Sequence, residues 1–503
     1  MMLGIVSLIL PPAGAADDGT VSLARPLMVE ELLAVPEGGT VVLADLPWRE
    51  GNLPASAVVS RREVFAPGSA VHVATDQGTR TLPPPRLAVF IGRSAGDPDT
   101  SVVLTVGEKG PARLLAISPD GVREYRRASP GARWESAPQA PKNGAAALGC
   151  RAEELEGAGP PAVEDGARAS RAAGSPRLTT YRATVAIDSD YEFYQLFNDT
   201  TAAASYLATV IAAASAIYER DLSVQLQMGD IYLWNISSDP WTATDPVGVL
   251  MEFGDYWHAN RQGVVRDLAH FFSGKSLGGG VAWRGVVCSA DFYSTQYSAW
   301  GGAYGICGDI DGTFDPNSSS PWVRWDLICS SHEMGHNFVS PHTHCYNDWP
   351  NPGDPPVDEC YSGETGCYSG PTSLPTDGGT IMSYCHGLSG GLSNINLYFG
   401  LAGHYGVQSE RVPQRMRSYV ESIANPPACL EEVAVGPIPG DADGDLDVDG
   451  ADLSMIAQEI FDMDGTATAD MCNVTPPCPE AEADADANGR IQAADLAVAI
   501  QNA

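Results

Sequence analysis

The segment from His332 to His342 constrains the fold more than any other part of this chain. It reads HEMGHNFVSPH, an H-E-x-x-H pattern followed six residues later by a third histidine. On a helix, His332 and His336 lie four positions apart on one face, where two neutral imidazoles can bind zinc. If the helix ends after Phe338 and the chain turns back, His342 can supply a third ligand, which leaves one position open as in catalytic zinc sites. Glu333 can then act as a general base on a metal-bound water.

The short motif alone does not establish a metal site. The pattern H-E-x-x-H also occurs by chance in unrelated helices, where its histidines bind nothing. The third histidine at this spacing is the additional signal that favours metal binding. His344 lies two residues beyond His342 and is an alternative ligand, although the spacing favours His342.

A second motif downstream points to a family. Residues 378–386 read GGTIMSYCH, and the long histidine motif followed by this methionine segment resembles the metzincin zinc endopeptidases, within them the reprolysin (adamalysin-like) group. Residues 267–275 and 278–283 are also similar to that group, in which such a stretch forms the edge strand above the active-site cleft. The resemblance extends over about residues 178–425.

The resemblance implies a mechanism of peptide hydrolysis. Zn²⁺ held by the three histidines would acidify a bound water and polarise the scissile carbonyl, and Glu333 would pass the water proton to the leaving amine. Met382 would form an apolar floor beneath the metal, although an ordinary core methionine fits equally well. Tyr384 would contact the metal or stabilise the oxyanion, as in astacin-like and serralysin-like relatives; the alternative is a packing tyrosine.

The same resemblance predicts where an extended substrate binds. Backbone groups of Gly280, Val281 and Ala282 would pair with a peptide and add it to the sheet as a strand. Such pairing explains a preference for unfolded or flexible segments of a protein or peptide substrate, and it specifies no side chain.

One position departs from the family pattern. The family has glycine where this chain has Val339, and that glycine permits a sharp turn, often with positive φ, which suits a β-branched residue poorly. Either the turn uses another conformation, or the third ligand is strained or displaced. This departure favours an alternative function, a non-catalytic, calcium-dependent extracellular binding protein with a degenerate metallopeptidase domain. A zinc amidase acting on a non-peptide substrate would share the same site chemistry.

The cysteines indicate an oxidising compartment. None of the eleven lies before Cys150, and eight lie between Cys288 and Cys429, a density that predicts disulfides in a secreted protein. The odd count leaves one thiol over, and Cys150 stands alone ahead of the histidine motif. Many metzincin precursors hold such a cysteine on the zinc as a thiolate, so Cys150 is a candidate inhibitory switch, with an unpaired thiol as the alternative.

The first third of the chain reads as a leader, a β domain and a linker. Residues 1–16 carry a short apolar core and an A-x-A-like site, which predict a signal peptide; a buried N-terminal strand is the alternative. Residues 17–135 alternate short apolar and polar runs and predict a mostly β propeptide. Residues 136–177 predict a linker, in which Arg168, Arg171 and Arg177 suggest processing and an uncleaved connector is the alternative.

The central region, residues 178–430, predicts an α/β sandwich of the α+β metzincin type with a mixed sheet. Its pattern is a strand at 181–187, a helix at 201–218 and a strand at 222–234. The motif helix is predicted to begin near Trp325, and a last helix runs over 409–423. Between them, residues 341–393 are irregular and rich in proline and cysteine, so disulfides are expected to hold them.

The C-terminal end predicts a small α domain that binds calcium. Residues 436–503 contain fifteen acidic residues and one basic residue. Two loops place oxygen donors at spacings that suit Ca²⁺, each followed by one apolar helical stretch, and they resemble the duplicated EF-hand-like repeat of dockerin domains. The predicted ligands are Asp441, Asp443, Asp445, Asp449, Asp452, Asp484, Asp486, Asn488 and Asp495. Dockerins bind cohesin modules, so a cohesin-like scaffold or a cell surface is the implied partner; an acidic solvated tail and a calcium-stabilised cap are the alternatives.

Charge and hydropathy narrow the function classes further. The net charge of −34 argues against nucleic-acid partners and anionic membrane surfaces. No apolar run approaches the ~20 residues of a transmembrane helix, so no membrane span is expected. Together these features predict a secreted zinc endopeptidase, made as a precursor and carrying a calcium-binding attachment module.

Overall fold

A computed structural model provides the structure of the chain. It describes residues 6–7, 20–21, 29–44, 46–50, 53–108, 112–118, 121–127, 134–136, 149–155, 157–159, 179–312, 325–424 and 429–433. The predicted calcium ligands between Asp441 and Asp495 lie outside these ranges, as does most of the predicted signal peptide.

The described residues up to Ser136, here called the N-terminal region, consist of strands and one short helix, α1 (Val29–Ala34). The strands are β1 (Val6–Ser7), β2 (Thr20–Val21), β3 (Thr40–Leu43), β4 (Arg49–Glu50), β5 (Leu53–Pro54), β6 (Ala57–Arg62), β7 (Val71–Thr75), β8 (Gly78–Leu82), β9 (Leu87–Ser94), β10 (Asp97–Gly107), β11 (Ala112–Ser118), β12 (Gly121–Arg127) and β13 (Glu135–Ser136). One sheet has the order β1-β3-β6-β9-β10-β11-β12-β13, and β2 also pairs with β3. Strand β1 lies within the predicted signal peptide, which stays a prediction.

Residues 179–433, here called the histidine-motif region, surround a mixed sheet. Its strands are β15 (Thr180–Ser189), β16 (Val224–Trp234), β17 (Leu268–Phe272), β18 (Gly279–Ala282), β21 (Tyr304–Cys307) and β22 (Glu431–Val433), and β19 (Phe292–Ser294) and β20 (Ala299–Gly301) form a separate hairpin. Strands β16, β15, β17 and β21 run parallel, whereas β18 runs antiparallel to β21. The expected mixed α+β architecture is confirmed.

Five helices cover this sheet: α2 (Tyr191–Phe197), α3 (Thr200–Leu222), α4 (Pro246–Asn260), α5 (Trp325–Asn337) and α6 (Arg411–Ala424). Helices α2, α3 and α4 begin after Asp190, Asp199 and Asp245, whose carboxylates accept hydrogen bonds from backbone N–H groups of the first turn. The predicted strands at 181–187 and 222–234 and helices at 201–218 and 409–423 correspond to β15, β16, α3 and α6.

Helix α3 is the apolar centre of the molecule. By length and composition it could cross a membrane, contrary to the expectation that no such run is present. Inside the protein, however, 78% of its most apolar window is buried, as in the core helix of a globular domain. Its many alanines allow this burial because they let strands and helices approach closely on several sides.

The predicted propeptide and the histidine-motif region share one sheet. Strand β7 pairs in parallel with β16, and β8 continues the sheet outward, so its full order is β14-β18-β21-β17-β15-β16-β7-β8. Strand β14 (Gly149–Cys150) comes from the predicted linker, and a 3₁₀ turn at Ala152–Leu155 follows it. The predicted boundaries of the propeptide and the linker stay a prediction, while β7, β8 and β14 all belong to the sheet of the histidine-motif region.

Disulfides hold the irregular part of the chain, as expected from its cysteines. Cys345–Cys367 and Cys360–Cys385 tie together residues of the segment 341–393, and Cys288–Cys429 ties the loop after β18 to the end of the region. Among the described residues, Cys150, Cys307 and Cys329 are free and buried. Short 3₁₀ turns at Thr343–Cys345, Cys385–Gly387 and Gly391–Asn394 are the regular elements of the segment 341–394.

Candidate metal centre

Helix α5 presents the first two histidines of the motif on one face and then ends abruptly. Its last carbonyls are satisfied by the loop after β18, because Gly285 N–H donates to His336 O at 2.9 Å and Val286 N–H donates to Asn337 O at 3.0 Å. The Asn337 side chain donates to Trp283 O at 2.8 Å and to Tyr304 O at 3.0 Å, which fastens the helix end to the sheet.

In the turn after α5, the backbone adopts the positive-φ conformation that suits a β-branched residue poorly. Val339 has φ of 75°, in the left-handed region that β-branched residues rarely occupy. Its side chain is buried, and the turn returns the chain so that His342 reaches the other two histidines. The third ligand is therefore not displaced, and the unusual residue is accommodated as local backbone strain.

Three imidazoles converge through their Nε2 atoms. The Nδ1 atoms of His332 and His336 each hydrogen-bond a backbone carbonyl at 2.7 Å, those of Ile381 and Ser340 respectively. These bonds assign the proton to Nδ1 and leave the Nε2 lone pairs directed at a common centre, where the two Nε2 atoms are 3.2 Å apart. His342 Nε2 is buried without a hydrogen-bond partner, which is expected of a nitrogen that serves as a metal ligand.

His342 is oriented by a carboxylate that sequence reasoning missed. Its Nδ1 lies 2.7 Å from Glu364 Oε2, and the same oxygen lies 2.8 Å from His344 Nε2. Burial alone would raise the pKa of Glu364, but the hydrogen bonds to the two histidines outweigh it and lower the pKa. His344 thus lies behind His342 and supports it. No signal in the sequence marks Glu364; in the structure, the Cys345–Cys367 disulfide lies three residues after it in the chain.

The electrostatics of the centre favour neutral imidazoles. Burial lowers the pKa of His332 to about 3, and it lowers the pKa of His336 and His342 as well. A neutral imidazole is the form that ligates a metal, so these residues need not lose a proton to bind one at pH 7.

Glu333 lies between the helix and strand β18. A Cβ atom on Gly280 would be 2.6 Å from Glu333 Oε1, so only glycine lets the carboxylate lie against the strand. Burial raises the pKa of Glu333 well above its ordinary value. Of the predicted residues, Gly280, Val281 and Ala282 all belong to β18, and β18 is the strand nearest this carboxylate. Strand β17, the other segment expected at the cleft edge, instead lies inside the sheet.

Met382 packs under the motif helix. A Cβ atom on Gly335 would lie 2.5 Å from Met382 Sδ, so the methionine touches the helix backbone between the two histidines. The segment that carries it is fixed from the third ligand, because Thr343 N–H donates to Met382 O at 3.0 Å. The methionine is fully buried, as both an apolar floor beneath the histidines and an ordinary core methionine require.

Cys150 lies directly at the centre. Its Sγ is 3.2 Å from His336 Nε2 and 3.4 Å from Glu333 Oε2. Burial first, and the carboxylates of Glu333 and Glu153 second, raise the pKa of the Cys150 thiol. Strand β14 places it there by pairing in parallel with β18, with Cys150 opposite Gly280.

Tyr384 holds the Cys150 segment, residues 149–159, from the opposite side. Its hydroxyl donates a short hydrogen bond to the carbonyl oxygen of Cys150 and lies 3.3 Å from Glu153 Oε2. Its ring centroid is 4.3 Å from that of His342. The structure therefore brings Tyr384 beside the third ligand, with its hydroxyl engaged by the Cys150 segment.

The four donor atoms fit a tetrahedral metal ion. Cys150 Sγ and one ring nitrogen from each of His332, His336 and His342 lie within 4.8 Å of one another. A tetrahedral Zn²⁺ with ~2.0–2.1 Å bonds to nitrogen places its nitrogen ligands ~3.3 Å apart, close to the 3.2 Å between His332 and His336. A set of three imidazoles and one thiol is a zinc donor set.

Comparison with known proteins supports the prediction for the central region of the chain, that it is a metallopeptidase-like domain. Residues 179–399 match the model of metallo-peptidase family M12. The histidine-motif region is thus similar to the M12 metallopeptidases, and the matched segment contains Glu333, all three histidines and Met382. No curated protein matches the chain.

Two solved structures have low similarity to the chain. One is a chaperone–substrate complex, with a TM-score of 0.26, 11% identity, and coverage of 61% of this chain and 38% of that chain. The other is the crystal structure of metalloproteinase-II from Bacteroides fragilis, with a TM-score of 0.30, 10% identity, and coverage of 63% of this chain and 86% of that chain. At these values neither likeness carries a conclusion about the present protein.

Proposed function

We propose that the protein is a secreted, zinc-dependent endopeptidase that is made in a latent form. The observation that carries the proposal is the convergence of Cys150 Sγ with the nitrogens of three motif histidines, beside the buried carboxylate of Glu333. The match of residues 179–399 to the M12 metallopeptidases supports the reaction class.

His332, His336 and His342 would hold the zinc, with Glu364 orienting the third imidazole. Bound there, zinc supplies Lewis-acid chemistry, which acidifies a water and polarises the scissile carbonyl. Glu333 would accept the proton and deliver it to the leaving amine.

Strand β18 would bind the substrate backbone. Its side facing away from β21 is paired with β14, so a peptide that binds there must replace Gly149 and Cys150. Because main-chain hydrogen bonds dominate such binding, extended segments of protein substrates are the expected ligands.

The Cys150 segment would keep the precursor inactive in two ways. Its strand occupies the place of the substrate, and its thiol takes the position a water needs; a thiol that coordinates a divalent cation is deprotonated, which offsets the raised pKa. Tyr384, bonded to the Cys150 carbonyl, would be released for an oxyanion when the segment leaves.

The C-terminal residues would form the attachment module. The paired acidic loops between Asp441 and Asp495 support Ca²⁺ binding, and a cohesin-like scaffold or a cell surface is the proposed partner. The disulfides among the described residues support an oxidising, extracellular location.

The deciding experiment uses the full chain with the Cys150 segment, residues 149–159, replaced by a glycine-serine linker, which removes both the thiol and the strand that pairs with β18. Digestion of casein would be measured with and without a zinc chelator, and zinc content would be determined on the same sample. The matched control adds Glu333→Ala, which should retain zinc and lose hydrolysis. Chelator-sensitive cleavage that depends on Glu333 supports the peptidase. One zinc per chain without cleavage of any protein substrate would favour the alternative binding protein instead.

A further inference from the structure

The sheet of the N-terminal region is apolar on both faces, which an independent, removable propeptide does not require. In register across β9, β10 and β11, Ile91, Val103 and Leu115 form one cross-strand row. All three belong to the same buried cluster as helix α3. Because successive strand residues point to opposite faces, this row and its neighbours serve two different cores.

The neighbouring row faces the region's own core. Phe90, Leu104 and Leu114 are in register with one another and belong to a separate cluster with Leu32 and Val35 of the α1 segment. Antiparallel sheets commonly leave one face to solvent, whereas this sheet buries the first row against the histidine-motif region.

Helix α3 is covered in part by this face of the N-terminal sheet. It packs on β16 and α5 of the histidine-motif region and on β9 and β10 of the N-terminal region. Alanine, isoleucine and valine side chains around most of its circumference are buried. If the N-terminal region departed, α3 would expose part of this apolar surface to water, at the cost that such exposure carries.

The N-terminal region also completes the edge of the central sheet. Met228 N–H donates to Val64 O at 2.8 Å, and Ile231 N–H donates to Ala70 O at 2.9 Å. Departure of the N-terminal region would leave backbone groups of β16, an 11-residue strand, without these partners and without β7.

Polar side chains reinforce the same contact. Arg62 and Glu219 form an ion pair with 3.2 Å between Nη2 and Oε2, both partly buried. Gln227 Nε2 donates to Glu63 O at 2.8 Å and to Phe65 O at 3.2 Å. Backbone pairing, apolar packing and an ion pair thus join the two regions over a continuous surface.

We propose that residues 29–136 are a permanent part of the mature protein and stay bound non-covalently after the chain is cut between residues 160 and 178. The partner of the exposed α3 face and β16 edge is this chain's own N-terminal fragment. The latency described above rests on the proposed function; on that basis, displacement of the short Cys150 segment alone opens the metal centre, and the N-terminal region remains.

The test uses the full chain with a recognition sequence for a specific protease inserted between residues 160 and 178, in a Glu333→Ala background that prevents self-digestion. After complete cutting, size-exclusion chromatography with light scattering is run in native buffer. The two fragments should co-elute with the mass of one chain and separate only in denaturant. Separate elution in native buffer would overturn the proposal, whether the larger fragment stays dispersed or aggregates.

A matched pair of variants tests which face holds the fragments together. Leu115→Ala removes a buried leucine from the row against α3, and Leu114→Ala removes its buried neighbour from the other face. Leu115→Ala should speed separation of the cut fragments on dilution by roughly tenfold or more relative to Leu114→Ala. Equal rates would refute the assignment of the interface.

A milder pair covers the case in which a leucine variant fails to fold. Val103 belongs to the buried cluster that contains α3, whereas Val102 belongs to the separate cluster of the N-terminal region. Val103→Ala should therefore speed separation of the fragments more than Val102→Ala does. Both readouts depend on mass and not on hydrolysis or zinc. A protein without peptidase activity can therefore still retain its N-terminal fragment, and an active one can still lose it.

Discussion

The left-handed turn at Val339 allows a test with a predicted sign. In ordinary helix or strand, glycine is less favourable than alanine by about 0.5–1 kcal/mol, because it loses more backbone freedom on folding. In the left-handed region, residues with a Cβ atom are penalised by roughly 1–2 kcal/mol, which glycine escapes. With φ of 75° at Val339, the second effect exceeds the first.

The magnitude follows from a comparison of two substitutions at this position. Val339→Gly and Val339→Ala both remove most of a buried side chain that packs near Gly285, so that loss largely cancels between them. The remaining difference should favour the glycine variant by about 0.5–1 kcal/mol in free energy of unfolding. For a region of this size, that corresponds to a melting temperature roughly 2 °C higher for glycine.

The assay is thermal unfolding of the full chain, with a matched control inside a regular helix. Val210 is fully buried in α3, and there Val210→Ala should be more stable than Val210→Gly, the reverse of the order at Val339. Alanine more stable than glycine at both positions would show that residue 339 does not adopt positive φ, and the proposed path from His336 to His342 would fail with it.

The other predictions concern the metal centre and the C-terminal residues. Cys150→Ala should raise the casein-cleaving activity of the uncut precursor, because it removes the contact of the thiol with the centre and so weakens the hold of strand β14 on β18; an unchanged precursor would exclude the switch. Glu364→Gln should weaken zinc binding by roughly 10–100-fold, measured by competition with a chromophoric chelator, because it removes the carboxylate that orients His342; unaltered affinity would reduce Glu364 to a loop residue. Tyr384→Phe should increase labelling of the precursor thiol at Cys150 by a thiol reagent, because the hydrogen bond to its carbonyl is lost; an unchanged labelling rate would show that the tyrosine does not hold the segment. Calcium removal should abolish the helical circular-dichroism signal contributed by residues 436–503, measured as the difference between the full chain and a chain ending at 435; no change would leave only an acidic tail.

Local parts of the centre could be predicted because short-range geometry determines them. A spacing of four on a helix places His332 and His336 together whatever surrounds them. The family resemblance supplied the expected places of Met382 and the backbone of β18, and both lie beside the motif helix. Cys150 was named from its isolation in the cysteine count, and its sulfur lies at the centre.

Other parts could not be predicted because they depend on contacts between distant segments. Glu364 is one of many acidic residues, and nothing in its neighbourhood marks it until the fold brings it to His342. The need for glycine at position 280 appears only when the Glu333 side chain is placed against its backbone. Gly149 and Cys150 belong to a stretch with the composition of a linker, yet they pair in parallel with β18.

The sequence by itself specified the candidate ligands of the metal centre, and the tertiary structure decided which surfaces of the N-terminal region are buried against the rest of the chain. Residue type and spacing specify three imidazoles, a carboxylate and a thiol, because ligand chemistry and helical periodicity are local properties. Alternating apolar and polar runs predicted a mostly β propeptide, which stays a prediction, and the fold places β7 in the central sheet and the row of Ile91, Val103 and Leu115 in the cluster of α3. Strand pairing and burial depend on which distant surfaces meet. The apolar character of a residue therefore does not determine in which of two cores it is buried.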